Sequence, residues 1–184
     1  MPPECPPADG SAEKTQQFDG PPPMCIDPQK RYSALMETSK GSITIALDAA
    51  AAPKTVNSFV FLARYHYYDG IVFHRIIPGF VVQGGDPTES GTGGPGYRFA
   101  DELPKPGRYE LGSLAMANAG PDTNGSQFFI ISGPSGVQLP PLYALFGKAV
   151  SGLEVIAELE AAGTSSGKPR ERVEILSVTI DEAD

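Results

Sequence analysis

The sequence is poor in the residues that build metal sites. It has no tryptophan and only two histidines and two cysteines among 184 residues. Cys5 and Cys25 cannot supply a four-ligand zinc site by themselves, and neither they nor His66 and His74 have the spacing of metal ligands. We therefore expect that the protein uses no metal and no other cofactor.

Basic residues and long apolar runs are also scarce. Lys and Arg number 14 against 22 Asp and Glu, which gives a net charge of -8 and a pI of about 4.7. Such a surface repels phosphate backbones and anionic lipids. No apolar run approaches the roughly 18 residues of a membrane-spanning helix. We expect a monomer that binds neither nucleic acid nor membranes.

The two cysteines leave the compartment open. No basic-then-apolar leader opens the chain, which predicts a cytoplasmic location with two free thiols. A disulfide between Cys5 and Cys25 would instead suit an oxidising, extracytoplasmic compartment. The sequence does not decide between these two interpretations.

Glycine and proline are abundant, in contrast to the residues above. Together they number 40 of 184 residues, about 22%, against roughly 12% in an average protein. This excess argues against a helical bundle and favours short strands joined by many turns. Eight of the 19 prolines fall within the first 28 positions, so we predict a Pro-rich arm at residues 1–31 and one domain at residues 32–184.

Short apolar runs in the domain predict a mainly β protein. Two helices are expected, one beginning at Pro53 and one over Leu153–Leu159, because apolar residues recur there at helical spacing. About eight strands are expected, and a closed antiparallel barrel capped by the two helices would protect their edges. The strand-like runs are Leu35–Glu37, Ser42–Leu47, Ile71–Ile77, Phe80–Gln83, Tyr97–Ala100, Leu114–Asn118, Phe128–Ser132, Ala144–Val150 and Val173–Ile180.

Two familiar motifs are present in form but lack their context. Gly91–Gly96 fits the glycine pattern of a dinucleotide site, but the residues that follow alternate like a strand instead of opening a helix. Ser126 lacks the strand-turn-helix elbow of a serine hydrolase. We interpret both segments as loops.

The block FHRIIPGFVVQGGD, residues 73–86, carries the first chemical signal. Arg75 lies among apolar residues, and a guanidinium is costly to desolvate unless acceptors receive its donors. It could form a structural ion pair with a distant carboxylate. Alternatively, it could stand at the rim of an apolar pocket and donate to a neutral carbonyl or amide.

The block LAMANAGPDTNGSQFFII, residues 114–131, carries the second signal. Asn118, Gln127 and Phe129 are neutral groups suited to reading a peptide backbone. The alternative is ordinary sheet core with polar turns between its strands.

With these two blocks, the sequence resembles the cyclophilin family of peptidyl-prolyl cis-trans isomerases, and in particular bacterial members that lack a tryptophan at the pocket rim. The segment LFGKAVSGLEVI adds to the likeness, which covers residues 33–182. The resemblance implies an eight-stranded antiparallel barrel with two helices and a peptide groove on its outer face. It also implies an enzyme that binds Xaa-Pro segments and assists protein folding.

The resemblance assigns roles to ten residues. Arg75 corresponds to the family's catalytic arginine. The other nine correspond to positions that bind substrate, and they are Phe80, Val81, Gln83, Ala117, Asn118, Gln127, Phe129, Leu139 and Tyr143.

Three of these positions depart from many family members. Val81 replaces a methionine, Leu139 stands where many have the rim tryptophan, and Tyr143 stands where many have histidine. Members grip the inhibitor cyclosporin A through that tryptophan, so we expect weakened binding of the inhibitor.

One alternative function stays open beside the isomerase. The same barrel could capture proline-containing segments without turning them over. The presence of Arg75, Phe80, Gln83 and Phe129 together favours the enzyme.

Overall fold

The computed structural model describes residues 3–184, so Met1 and Pro2 of the predicted arm lie outside the described residues. Among residues 3–184, no helix combines the length and the apolar character needed to cross a membrane. The secondary structure comprises eight strands and three helices, in the order β1 (Arg31–Thr38), β2 (Gly41–Leu47), α1 (Pro53–Arg64), β3 (Arg75–Ile77), β4 (Val81–Gly84), β5 (Ser113–Met116), β6 (Phe128–Ile131), α2 (Pro134–Val137), β7 (Leu145–Ser151), α3 (Leu153–Ala161) and β8 (Ile175–Ala183).

The strands form one antiparallel sheet in the order β3-β4-β6-β5-β7-β2-β1-β8, curled into a half-barrel. The mainly β, eight-stranded prediction is confirmed, but the closed barrel is not. The three residues of β3 pair only with β4, so the two end strands do not form a ladder with each other. Instead, one isolated bridge joins Val72 to Glu174.

The predicted helices are present as α1 and α3, and α2 is an additional short helix. Pro53 occupies the first turn of α1, where its missing N–H costs nothing. The predicted strand Tyr97–Ala100 is not a strand, because Phe99 makes only an isolated bridge with Asn124.

Aromatic side chains fill the main core between the sheet and α1. The Phe59 ring of α1 lies 5.2 Å from the ring of Tyr68, 5.9 Å from that of Phe128 and 5.3 Å from that of Phe146. All four side chains are buried, and each such burial stabilises the fold by roughly 1.5–3 kcal/mol.

A second, smaller cluster lies apart from the main core and includes buried residues of β4, β5 and β6. These short strands are buried on both faces, so alternate residues along each strand belong to the main core or to the second cluster. We call the second group the pocket cluster; its buried members are Val81, Tyr109, Ala115, Phe129 and Ile131. It forms the base on which the candidate site is built.

The segment before β1 packs on the rest of the protein. A disulfide joins Cys5 to Cys25. Ile26 is buried and Phe18 is partly buried against the main core, whereas Met24 is 52% exposed. Phe18 and Ile26 therefore attach this segment to the core.

Candidate active site

A tight hairpin places Arg75 and Gln83 side by side. Between β3 and β4 the chain turns at Pro78 and Gly79, and Gly79 has a φ of 77°, which glycine adopts without strain. The resulting register pairs Arg75 with Gln83 across the two strands. The Arg75 Nη1 donates a hydrogen bond of 3.2 Å to the Gln83 Oε1.

The Arg75 side chain is exposed at the edge of an apolar surface. Its Cζ lies 5.9 Å from the centre of the Phe80 ring, within the range of a cation-π contact. Among residues 3–184, no carboxylate lies within 4.0 Å of its guanidinium. The structural ion pair considered from the sequence is thus not found in the described part of the chain.

A chain of amide hydrogen bonds continues from Gln83 into the neighbouring loop. The Gln83 Nε2 donates to the Gln127 Oε1 at 3.4 Å. The Gln127 Nε2 in turn donates to the carbonyl oxygens of Gly91 at 2.9 Å and Gly93 at 3.1 Å. These contacts fix the orientation of the Gln83 side-chain amide. Its Nε2 donates to Gln127, so its Oε1 faces Arg75.

Asp86 organises that loop. Its buried carboxylate accepts the backbone N–H groups of Thr88, Ser90, Gly91 and Gly93 at 2.8, 3.1, 2.6 and 3.1 Å. Burial by itself raises the pKa of Asp86, but the hydrogen bonds from the Thr88 hydroxyl and from the N–H groups of Thr88, Gly93 and Gly91 outweigh it and lower the pKa to about 2.

Aromatic side chains of the pocket cluster form an apolar wall beside Arg75. Phe129 on β6 is buried, and its ring lies edge-on to the ring of Tyr143 at 5.3 Å. The Tyr109 hydroxyl donates to the Tyr143 carbonyl at 2.7 Å and accepts the Tyr143 N–H at 3.2 Å. Tyr109 therefore holds Tyr143 against Phe129.

Arg75 and this wall enclose one pocket with a volume of about 170 Å³. Nine of the ten residues predicted from the sequence line it, and they are Arg75, Phe80, Val81, Gln83, Ala117, Asn118, Phe129, Leu139 and Tyr143. The tenth, Gln127, lines an adjoining larger cavity instead. The roles of these residues in binding and catalysis stay predictions.

Ala117 and Asn118 lie just beyond the end of β5. The Ala117 N–H donates to the Gln127 carbonyl at 3.0 Å. The Asn118 Nδ2 donates to the Leu142 carbonyl at 3.0 Å, which ties this edge to the segment that carries Leu139. Leu139 itself lies two residues after the end of α2.

Asp86 and Tyr109 contribute to the site but were not among the predicted residues. The signal for Asp86 was the run of Thr88, Ser90 and glycines after it, which supplies backbone donors to an aspartate. Tyr109 gave no local signal, since its partner Tyr143 lies 34 positions further along the chain.

The pocket combines a permanent cation with neutral amides and an apolar wall. No group of three or more His, Cys, Asp or Glu side chains in residues 3–184 could hold a metal ion. Burial lowers the pKa of His74, the neighbour of Arg75 in the chain. The arrangement is suited to holding an uncharged ring and donating hydrogen bonds to a neutral amide.

Comparison with known proteins decides the family. Residues 33–180 match the family model described as cyclophilin type peptidyl-prolyl cis-trans isomerase/CLD. The chain belongs to the cyclophilin family. The sequence-based prediction of this family and of a peptidyl-prolyl cis-trans isomerase is confirmed.

Individual cyclophilins are similar over most of this chain. Peptidyl-prolyl cis-trans isomerase-like 1 of Gibberella zeae is 44% identical over 154 residues, covering 80% of this chain and 94% of the relative. Peptidyl-prolyl cis-trans isomerase B of Streptomyces anulatus is 43% identical over 168 residues, covering 80% and 95%. A Cryptosporidium parvum cyclophilin crystallised in the presence of the dipeptide Ala-Pro aligns with a TM-score of 0.75 and 37% identity, covering 81% and 98%.

Proposed function

We propose that this cyclophilin binds Xaa-Pro segments in the pocket beside Arg75, and that Arg75 is the catalytic residue. The single observation that carries this proposal is the position of an arginine without a carboxylate partner in residues 3–184, at the rim of a pocket with an apolar wall. The Ala-Pro dipeptide present with the related crystal structure supports a proline-containing ligand.

The reaction is a rotation and not a bond cleavage. The barrier to rotation about a peptide bond is roughly 18–20 kcal/mol, because resonance gives the C–N bond partial double-bond character. Rotation breaks this resonance and returns the lone pair to the nitrogen. A donor that bonds more strongly to the twisted amide than to the planar amide therefore lowers the barrier.

The Arg75 guanidinium is such a donor, and Gln83 orients it. The guanidinium offers five N–H donors, of which Gln83 receives one from Nη1. The remaining donors are available to the amide nitrogen or to the rotating carbonyl. Phe80, Val81 and Phe129 hold the proline ring and exclude water. Because water stabilises the planar and more polar ground state, its exclusion lowers the barrier to rotation.

The polar edge of the pocket is suited to the peptide backbone. Asn118 and Ala117 lie at the end of β5, where a substrate strand could run beside them, and Gln127 extends this edge. Leu139 and Tyr143 complete the apolar side. We assign these residues to substrate binding and not to chemistry, since none of them carries a charge.

The loss of Arg75 gives a direct test. A charge-assisted hydrogen bond contributes about 1.5–3 kcal/mol, so we expect Arg75→Ala to lower kcat/KM roughly tenfold to a hundredfold. Arg31→Ala is the matched control, because Arg31 is an exposed arginine on β1, remote from β3 in the sheet order. The assay follows cis-trans exchange of a short Xaa-Pro peptide by protease coupling.

Two outcomes would contradict the proposal. A folded Arg75→Ala protein with near-normal kcat/KM would exclude the role of the arginine. A wild-type protein no faster than buffer would favour the alternative function, a module that binds proline-containing segments without turning them over.

We also propose that the pocket rim is of the bacterial type, without tryptophan. Leu139 lines the pocket, and the chain contains no tryptophan. A leucine cannot donate the hydrogen bond that an indole N–H offers, so cyclosporin A should bind weakly. A titration with the inhibitor measures this directly.

Finally, we propose that the protein is a monomer of an oxidising compartment, with residues 1–31 as an arm on the domain at residues 32–184. The Cys5–Cys25 disulfide supports an extracytoplasmic location over the cytoplasm. Trapping of free thiols in native cells followed by mass spectrometry tests this location. Light scattering tests the oligomeric state.

A further inference from the structure

A second cavity adjoins the candidate active site and shares residues with it. Its volume is about 800 Å³. Gln83, Ala117 and Asn118 line both this cavity and the pocket beside Arg75. A peptide held with its proline in the smaller pocket would therefore carry a flanking side chain into the larger cavity.

One wall of this cavity comes from outside the residues that match the family model. Gln17 lines the cavity, whereas the family match begins at residue 33. Gln17 lies within the loop that the Cys5–Cys25 disulfide closes. The segment around it therefore lies outside the residues that match the family model.

Contacts on both sides of Gln17 hold its backbone in place. The Phe18 N–H donates to the Pro95 carbonyl at 2.8 Å, and the Gln16 Nε2 donates to the Tyr67 carbonyl at 2.8 Å. The Phe18 ring lies 4.8 Å from the ring of Phe61 in the main core. These contacts anchor the segment to the barrel on either side of Gln17.

Gly96 permits the close approach of this segment. It has a φ of 98°, and a Cβ at this position would lie 2.2 Å from the Phe18 carbonyl oxygen and 3.3 Å from the Gln17 Nε2. Only glycine fits at such a distance. The side-chain nitrogen of Gln17, Nε2, therefore lies beside Gly96 on the wall of the cavity.

The charge that lines this cavity is positive. Among residues 3–184, no carboxylate lines it, although the whole chain carries a net charge of -8. Arg98 supplies a positive charge and Gln17 a side-chain amide, whereas the Asn118 Nδ2 and the Gln127 Nε2 already donate to backbone carbonyls. The Arg98 charge, with the Gln17 amide beside it, is complementary to a carboxylate and would disfavour a lysine.

We propose that Gln17 is a specificity-determining residue, which together with Arg98 makes the enzyme prefer Xaa-Pro substrates with an acidic flanking side chain. This inference rests on the proposed function, because the flanking side chain reaches the cavity only when the proline occupies the pocket beside Arg75. The arm thereby extends the substrate groove.

Peptide pairs test the preference. The probes are short Ala-Pro peptides that carry Glu or Lys either two positions before the proline or two positions after it. For one of these two positions, we expect wild-type kcat/KM to be at least about fivefold higher with Glu than with Lys. In Gln17→Ala this Glu-to-Lys ratio should fall about threefold to tenfold.

The controls separate this inference from the proposed function. Gln29→Ala removes an exposed glutamine that follows the disulfide-closed loop and does not line the cavity, and it should keep the wild-type ratio. Equal kcat/KM for Glu and Lys peptides at both positions, or a Gln17→Ala ratio equal to the wild-type ratio, would overturn the inference. The proposed function would stand in either case, because it is tested separately by Arg75→Ala and by whether wild type isomerises the peptides at all.

Discussion

The Asp86→Asn substitution should change how the stability of the protein depends on pH. In the unfolded chain an aspartate titrates near 3.8, whereas the hydrogen bonds from Thr88, Gly93 and Gly91 outweigh the effect of burial and bring the folded pKa of Asp86 to about 2. The folded state thus binds this proton less readily than the unfolded chain. The stabilisation is fully present above the unfolded pKa and is lost as the pH falls toward 2.

The size of the effect follows from the two pKa values. A difference of one pKa unit corresponds to about 1.4 kcal/mol, so Asp86 contributes roughly 2 kcal/mol to the free energy of unfolding at neutral pH. An asparagine side chain has only one acceptor oxygen, so it cannot accept as many hydrogen bonds from the N–H groups of the loop. We expect Asp86→Asn to be less stable than wild type by roughly 2 kcal/mol at pH 7, and this difference should shrink between pH 5 and 2.

Urea unfolding at a series of pH values measures this difference. Asp181→Asn, which alters an exposed carboxyl on β8, is the matched control and should follow the wild-type curve. A constant difference between wild type and Asp86→Asn from pH 7 to 2 would refute the reasoning. Such a result would mean that the substitution acts through packing alone and not through the charge.

Three further predictions concern the pocket and the arm. Phe129→Ala should lower kcat/KM at least about tenfold in the peptide assay, because the substrate's proline ring is buried against Phe129 and burial of an apolar side chain contributes roughly 1.5–3 kcal/mol; an unchanged value would show that the wall does not hold proline. Leu139→Trp should lower the Kd of cyclosporin A about fivefold in calorimetry, since one indole hydrogen bond contributes about 1 kcal/mol; unchanged affinity would contradict the rim position. Replacing Cys5 and Cys25 by serine should lower the free energy of unfolding in urea by about 3 kcal/mol; equal stability would mean that the loop is not constrained.

Local signals made much of the fold predictable. Pro53 and the apolar spacing after it predicted α1, and Pro78 and Gly79 form the turn of the hairpin that pairs Arg75 with Gln83. Each of these features depends on residues close in sequence. The two sequence blocks also contained most of the residues that line the pocket.

Long-range contacts account for what the sequence did not reveal. Whether the two end strands form a ladder depends on partners about 100 residues apart, and the short β3 leaves the barrel open. The alternating residues around Phe99 resemble a strand, but the structure pairs Phe99 through a single bridge only. Likewise, nothing near Gln17 in the sequence indicates that Gly96 leaves room for it beside the cavity.

The central claim is that Arg75 stabilises the twisted amide and not the bound planar peptide. NMR exchange measurements separate these effects, because they give both the Kd of an Xaa-Pro peptide and its rate of isomerisation on the enzyme. For Arg75→Ala, we predict a Kd within about threefold of wild type and an on-enzyme rate at least about tenfold lower. A rate equal to that of wild type, with a Kd weakened at least about tenfold, would contradict the claim, because Arg75 would then act in ground-state binding.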